Sequence, residues 1–211
     1  MPRSKAVNHS ELTALLTFAA AMSFSPGPNT TLSTALAANR GMRVAIRFCL
    51  AVPVGWTILI LACGLGLGAL ILNMPPLRWS VKVLGVGYLL WLASRLMRQT
   101  SLSGQVEVKF LQIGFIQGVL LQFVNIKAWM LALTVTAGWV VSAGGLAAPN
   151  PYERLAIVAP LMAFFAFSSN FTYAAAGSLL RGWLEKGQRL RWFNRFLAMV
   201  LAATGAWMLL V

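Results

Sequence analysis

Residues 48–74 read FCLAVPVGWTILILACGLGLGALILNM, a stretch without a single charged side chain. An apolar run of about 18 residues or more is long enough to cross the hydrocarbon core of a bilayer as a helix. Outward from this stretch, short charged clusters divide the chain into six apolar regions, at about 12–38, 48–74, 79–97, 110–142, 155–180 and 194–211. The sequence therefore predicts an all-α integral membrane protein of about six transmembrane helices, with residues 1–211 forming a single transmembrane domain.

The composition supports the bilayer as the solvent of this chain. Hydrophobic residues make up 59% of it and charged residues 10%, whereas a soluble domain has about a quarter charged residues. The net charge of +13 comes from basic clusters between the apolar runs. That pattern is typical of loops that face anionic lipid, and it leaves no basic face on a soluble unit for nucleic acid.

The basic residues also predict the orientation of the chain. Eleven of the 17 Lys and Arg residues lie in the loops that follow the first, third and fifth regions. Five lie on the opposite side, and Lys127 lies within a region. Because cytoplasmic loops carry the excess of Lys and Arg, we expect those three loops in the cytoplasm and both termini outside, on the periplasmic side.

Two of the six regions carry a polar interruption. Ser25-Pro26-Gly27-Pro28-Asn29 interrupts the first, and Gln122-Phe123-Val124-Asn125-Ile126-Lys127 interrupts the fourth. Each is the first helix of a three-helix half, so we expect two inverted repeats, over about 12–98 and 108–211, with helices 1 and 4 broken. Interrupted helices at corresponding positions of two halves indicate a transporter's binding site.

The first interruption predicts a half-helix. Pro26 and Pro28 remove two backbone donors and Gly27 loosens the chain, which disfavours a continuous helix. Asn29 is then a suitable N-cap for a helix that starts at Thr30. The free N–H groups of such a helix can receive an anionic group, for example an amino-acid carboxylate. The alternative is a proline kink that only shapes the packing.

The second interruption places polar groups within a span. Lys127 is expensive there, at about 2.5–3.5 kcal/mol on insertion scales. It can attract a substrate carboxylate, bond the exposed carbonyls of the broken ends, or snorkel if the span ends near it. Asn125 and Gln122 accompany it. Asn170, deep in the fifth region, either lines the same cavity or bridges two helices.

Several classes of function lack their residues. The chain has no glycine-rich nucleotide loop and no cluster of His, Cys and acid with metal-ligand spacing, so we predict no enzyme, no cofactor and no metal. All four glutamates flank the spans. Cys49 and Cys63 would lie roughly 21 Å apart on one helix, which disfavours an intramembrane thiol carrier. A non-transporting membrane scaffold is the other alternative.

The motifs resemble the LysE/RhtB amino-acid exporters over nearly the whole chain, and they are most similar to the cysteine and O-acetylserine exporter branch. The segments that carry the resemblance are Phe24–Asn29, Arg40-Gly41, Gly85–Leu92, Phe115–Gly118, Leu121–Lys127, Ala128-Trp129, and Asn170 ahead of Ala176-Gly177.

The resemblance implies a bacterial inner-membrane protein that exports an amino acid or its derivative from the cytoplasm, driven by the proton motive force. Many members carry an acid after a glycine in the second span, where this chain has Gly55-Trp56. Trp56 would then narrow or line the cavity and favour a less charged substrate. Neither the motifs nor the composition requires or excludes a homodimer.

The predicted site lies near the midplane, between the two broken helices. The half-helix at Asn29, together with Lys127, would receive the substrate carboxylate. The other polar groups would be fixed by Asn125, Gln122 and Asn170. The residues expected to bind substrate are Pro26, Gly27, Pro28, Asn29, Gln122, Asn125, Lys127 and Asn170.

Overall fold

The computed structural model describes residues 9–66, 73–99, 113–143 and 146–210. These ranges are helical almost throughout. A minimal antiparallel pair joins strands Ser142–Ala143 (β1) and Leu146–Ala147 (β2), and a π-helical turn at Thr136–Val140 follows the helix Ile126–Val135. The helices are α1 His9–Phe24, α2 Pro28–Arg40, α3 Met42–Gly64, α4 Pro75–Arg98, α5 Phe115–Val124, α6 Ile126–Val135, α7 Pro151–Leu184 and α8 Arg189–Leu210. Four charged residues of the sequence argument lie outside the described ranges: Arg3, Lys5, Glu107 and Lys109.

The described helices include four that are long and apolar enough to cross a membrane, namely α3, α4, α7 and α8. The pair formed by α5 and α6 with its π turn is a fifth candidate, bent by 70° at the break. Helices α1 and α2 have 16 and 13 residues, each short of the roughly 20 needed to span. A helical membrane protein with several spans is therefore confirmed, whereas six spans in two inverted repeats stay a prediction.

The helix breaks lie at the predicted places. The chain leaves helical geometry between Phe24 and Pro28, and again at Asn125. Single prolines inside α3 and α7, Pro53 and Pro160, leave those helices continuous. The pair of prolines around Gly27 ends α1, because neither Pro26 nor Pro28 has a backbone N–H to donate. The broken element is therefore favoured over a simple kink.

Helix α2 lies at the centre of the molecule. Eleven of its 13 residues are buried, and it packs mainly against α7 and α3. Small residues allow this close approach, as they do in other membrane helix interfaces. On α7, a Cβ added at Gly177 would collide with the carbonyl oxygen of Thr34. The interior thus holds a short polar helix (Thr30, Thr31, Ser33 and Thr34 are all buried) inside longer apolar helices.

The outer surface is apolar on these longer helices. Large hydrophobic side chains stand exposed along their length, among them Leu84, Phe164, Leu179 and Met199. A water-soluble protein rarely exposes so continuous an apolar surface. Hydrocarbon chains are the medium that suits it.

A partly buried ion pair joins α1 to α7. Arg154 Nη2 of α7 lies 3.4 Å from Glu11 Oε1 of α1, and Arg154 Nε donates to the carbonyl oxygen of Trp139 at 2.8 Å. The indole N–H of Trp139 in turn donates to the carbonyl oxygen of Glu11 at 3.2 Å. Glu11 therefore holds the start of α1 against α7 and the π turn.

Candidate functional site

A small cavity lies between the two helix breaks. Its volume is about 50 Å³, enough for a few water molecules, each of which needs about 10–15 Å³ by this measure. The walls come from α1, α2, α3, α6, α7 and both breaks. The residues lining it are Met22, Ser23, Ser25, Gly27, Pro28, Asn29, Thr30, Val52, Trp56, Asn125, Lys127, Ala128, Leu131, Met162, Ala166, Ser169 and Asn170.

Lys127 connects one break to the other. Its Nζ donates to Ser25 Oγ at 2.7 Å, to the carbonyl oxygen of Ser25 at 3.0 Å and to that of Pro26 at 3.3 Å. The two carbonyls lie just beyond the last residue of α1, where the helix supplies no donor to them. An ammonium group has three donors, and all three are used. Of the roles open for Lys127, the structure shows the bonding of exposed carbonyls at the broken end.

The predicted helix start at Thr30 with Asn29 as N-cap is wrong. Helix α2 starts at Pro28 and its N-cap is Gly27. Proline fits the first position of a helix because its φ suits helical geometry and that position needs no N–H. The N–H of Gly27 donates to Thr30 Oγ1 at 3.0 Å, so the cap is built by a threonine.

Asn29 instead pairs with Gln122 of α5. Asn29 Nδ2 donates to Gln122 Oε1 at 2.8 Å, and Gln122 Nε2 donates back to Asn29 Oδ1 at 3.2 Å. Gln122 Nε2 also donates to the carbonyl oxygen of Gly118 at 3.1 Å. Gln122 is fully buried and lies behind the cavity wall, while Asn29 is part of the wall.

Two more predicted residues occupy different places. Pro26 lies on the other side of Lys127, in a groove of about 440 Å³ shared with Met130, Thr204 and Trp207. Asn170 lines the cavity and also bridges two helices. Its Oδ1 accepts from Ser33 Oγ of α2 at 2.8 Å, and its Nδ2 donates to the carbonyl oxygen of Ala166 at 2.8 Å.

The cavity has a positive character. The N-terminal ends of α2 and α6 both border it, at Gly27 and at Asn125, and helix N-termini carry partial positive charge. Lys127 adds its ammonium. No Asp or Glu is found among the described residues that line it. The site is thus suited to a negatively charged group, and its described wall has no carboxylate that could pair with a positive charge on a substrate side chain.

Trp56 was expected from the sequence to narrow or line the cavity, although it was not counted among the substrate-binding residues. Its side chain lies in the cavity wall and is 3% exposed. None of the described residues accepts a hydrogen bond from its Nε1. The signal for it was the Gly55-Trp56 departure, which shows that the position differs but not which way the indole points.

The two cysteines do not form a relay. Cys49 and Cys63 are both buried, both free and both on α3. Within the described ranges, no group of three or more His, Cys, Asp or Glu residues could hold a metal ion.

A membrane-spanning helical bundle with a polar cavity between two broken helices is the architecture of a secondary transporter. The chain belongs to the LysE type translocator family, whose model matches residues 20–210. Members of this family are transporters, not enzymes.

Curated relatives cover most of the chain. It is 28% identical over 190 residues to a cysteine/O-acetylserine efflux protein of Klebsiella pneumoniae subsp. pneumoniae, with 86% of this chain and 89% of the relative covered. Proteins of the same name in Salmonella paratyphi A and Escherichia coli O1:K1 are 28% and 27% identical. Both alignments cover 90% of this chain, with 93% and 91% of those relatives. No solved structure matches the chain.

Proposed function

We propose that the chain exports a small neutral amino acid or amino-acid derivative, of the cysteine or O-acetylserine kind, from the cytoplasm across the bacterial inner membrane. The observation that carries the proposal is the cavity between the two breaks. Two helix N-termini and Lys127 border it, and no carboxylate stands in its described wall. An α-carboxylate suits that environment.

The walls also select against charged side chains. A lysine or arginine substrate would need an acid to receive its second positive charge, because an unpaired charge in such a site is costly. The apolar part of the wall, with Met22, Leu131 and Met162, suits a short uncharged side chain. The names of the curated relatives, cysteine/O-acetylserine efflux protein, agree with that size and charge.

The cavity volume of about 50 Å³ is smaller than an amino acid. We therefore expect the walls to separate when substrate enters, and one contact that joins the two breaks is that between Lys127 and Ser25. We expect this contact to open and close during transport.

We propose that the proton motive force drives export. The described cavity wall contains one ionisable side chain, Lys127, and no carboxylate. Proton coupling through an intramembrane acid, as in many transporters, has no residue for it among the described part of the wall. Coupling would then run through Lys127 or through waters in the opened site. From the distribution of Lys and Arg between the loops, we also propose that both termini lie on the periplasmic side.

The test is efflux of a labelled amino-acid panel from cells that overexpress the protein, with and without an uncoupler. We expect faster export of cysteine and O-acetylserine than of lysine, with a strong loss of rate in the uncoupled cells. Export of lysine or arginine in preference to neutral amino acids would contradict the proposed substrate class. Equal rates in cells with and without the protein would contradict transport itself.

A further inference from the structure

Most polar atoms around the cavity already have partners within the protein. The ammonium of Lys127 bonds the end of α1, Asn29 pairs with Gln122, and Asn170 pairs with Ser33 and Ala166. These groups hold the walls together. A substrate would have to break such bonds before it could use the same atoms.

Two buried polar atoms in the wall are different. Trp56 Nε1 and Asn125 Oδ1 have no hydrogen-bond partner among the residues that the structure describes. Both side chains belong to residues that are 3% exposed, and both residues line the cavity. A buried polar atom without a partner destabilises the fold, so native proteins have few of them. Thr136 Oγ1 is also unpartnered, but Thr136 is not part of the cavity wall.

Asn125 lies where an asparagine side chain usually caps a helix, but its side chain does not form the cap bond. It is the N-cap of α6, a position where Asn normally accepts a hydrogen bond from the second or third helical N–H. Here the side chain makes no cap bond. The backbone alone starts the helix, since Ala128 and Trp129 both donate to the carbonyl oxygen of Asn125. The side-chain oxygen is left for the cavity.

Trp56 contrasts with other tryptophans of the chain. Trp129 Nε1 donates to the carbonyl oxygen of Phe123 at 2.8 Å, and Trp139 Nε1 donates to that of Glu11 at 3.2 Å. Both are less buried than Trp56. Helix α3 is held close to α5 next to this residue, because a Cβ at Gly55 would lie 2.6 Å from the carbonyl oxygen of Val119. The indole is therefore placed by tight backbone packing, and its N–H finds no acceptor in the described part of the chain.

We infer that Trp56 Nε1 and Asn125 Oδ1 are the substrate's own hydrogen-bond partners, the indole N–H for its α-carboxylate and the amide oxygen for its α-ammonium. The inference rests on the proposed export of an amino acid and names the atoms that recognise it. One wall offers a donor and another offers an acceptor, which matches the two ends of a zwitterion. The substrate class is then an amino acid with both its α-amino and its α-carboxyl group unmodified.

The experiment measures binding and stability together on purified full-length protein in nanodiscs. The variants are Trp56→Phe, Asn125→Ala and the control Trp129→Phe. The probes are O-acetyl-L-serine, L-serine methyl ester, which lacks a free carboxylate, and N-acetyl-L-serine, which lacks a free amine. Dissociation constants come from the ligand-dependent shift of the unfolding temperature.

We expect Trp56→Phe and Asn125→Ala to weaken O-acetyl-L-serine binding by about 10- to 100-fold, the loss of one hydrogen bond to a charged group. Neither change removes a hydrogen bond that the unpartnered atom makes to the described residues, so without ligand Trp56→Phe should lower the unfolding temperature only through the buried ring volume that it removes. Trp129→Phe should bind normally but unfold at a lower temperature, since it leaves the Phe123 carbonyl without its donor. The ester should bind Trp56→Phe and wild type about equally, and N-acetyl-L-serine should do the same for Asn125→Ala and wild type.

Wild-type affinity for O-acetyl-L-serine in both cavity variants would overturn the inference while leaving the proposed function intact. A wild-type protein that binds none of the probes and exports none of the labelled panel would instead contradict the proposed function.

Discussion

Lys127 Nζ lies 2.7 Å from Ser25 Oγ and 3.0 Å from the Ser25 carbonyl oxygen, so the start of one half-helix closes the end of another. The two residues are 102 positions apart in the chain. They bring the breaks of the first and fourth apolar regions to one cavity. Gly27 leaves room for this contact, because a Cβ added there would lie 3.1 Å from Lys127 Nζ.

Replacing Lys127 by alanine should abolish export and lower stability. The change leaves the carbonyls of Ser25 and Pro26 without a donor, at about 1–3 kcal/mol for each buried unsatisfied group. Efflux rate and unfolding temperature measure the two effects. Lys82→Ala is the control, because Lys82 lies over the ring of Trp79 at 5.4 Å and is not part of the cavity wall. Normal efflux from Lys127→Ala would contradict the role of the contact.

The double change Asn29→Ala, Gln122→Ala should destabilise the protein by less than the sum of the two single changes. Each single change leaves the partner amide buried and unpaired, whereas the double change removes both. A double-mutant cycle on unfolding should therefore give a coupling energy of about 0.5–3 kcal/mol. Additive effects would show that the two amides do not depend on each other.

Gly177→Ala should destabilise the packing of α7 on α2. The added Cβ collides with the backbone carbonyl of Thr34, which cannot move as a side chain could, and overpacking costs about 1–3 kcal/mol or more. Gly182→Ala on the same helix is the matched control, because nothing lies within 4 Å of its Cβ position. The unfolding temperatures of the two variants decide the prediction, and equal values would contradict the close approach.

Arg154→Met should destabilise the bundle by up to about 3–5 kcal/mol, because it removes the ion pair between the buried guanidinium of Arg154 and the partly buried carboxylate of Glu11. Arg181→Met removes the exposed pair with Glu185 at 3.9 Å, and such pairs contribute about 0–1 kcal/mol. Unfolding of both variants in detergent provides the comparison. Similar losses would mean that the Glu11 pair stabilises no more than a surface pair.

The sequence predicted the parts of this structure that depend on composition and local chemistry. Long uncharged runs required membrane helices, and Pro26 with Pro28 required a break. The start of α2 was misplaced because Asn29 is a good N-cap in isolation, whereas Pro28 already suits the first helical position. The sequence alone is compatible with a helix start at Pro28 and with one at Thr30.

The remaining features depend on contacts between distant residues. Lys127 was compatible with three roles, and only the position of the α1 end shows that it bonds Ser25. Gln122 was predicted to face the cavity, but its hydrogen bonds to Asn29 and to the Gly118 carbonyl hold it behind the cavity wall. Trp56 was recognised as a departure from a family pattern, whereas only the folded structure shows that its N–H has no partner among the described residues.

The central claim is that substrate occupies the cavity between the two breaks, and protection of a cysteine placed there tests it most directly. In a Cys49→Ser, Cys63→Ser background, Ser169→Cys puts a thiol in the cavity wall and Ser80→Cys puts one on the exposed start of α4. The measured quantity is the rate of methanethiosulfonate labelling with and without saturating O-acetyl-L-serine. The account predicts a several-fold slower reaction at Ser169→Cys and no change at Ser80→Cys. Equal rates at Ser169→Cys, in a protein that still exports O-acetyl-L-serine, would contradict it.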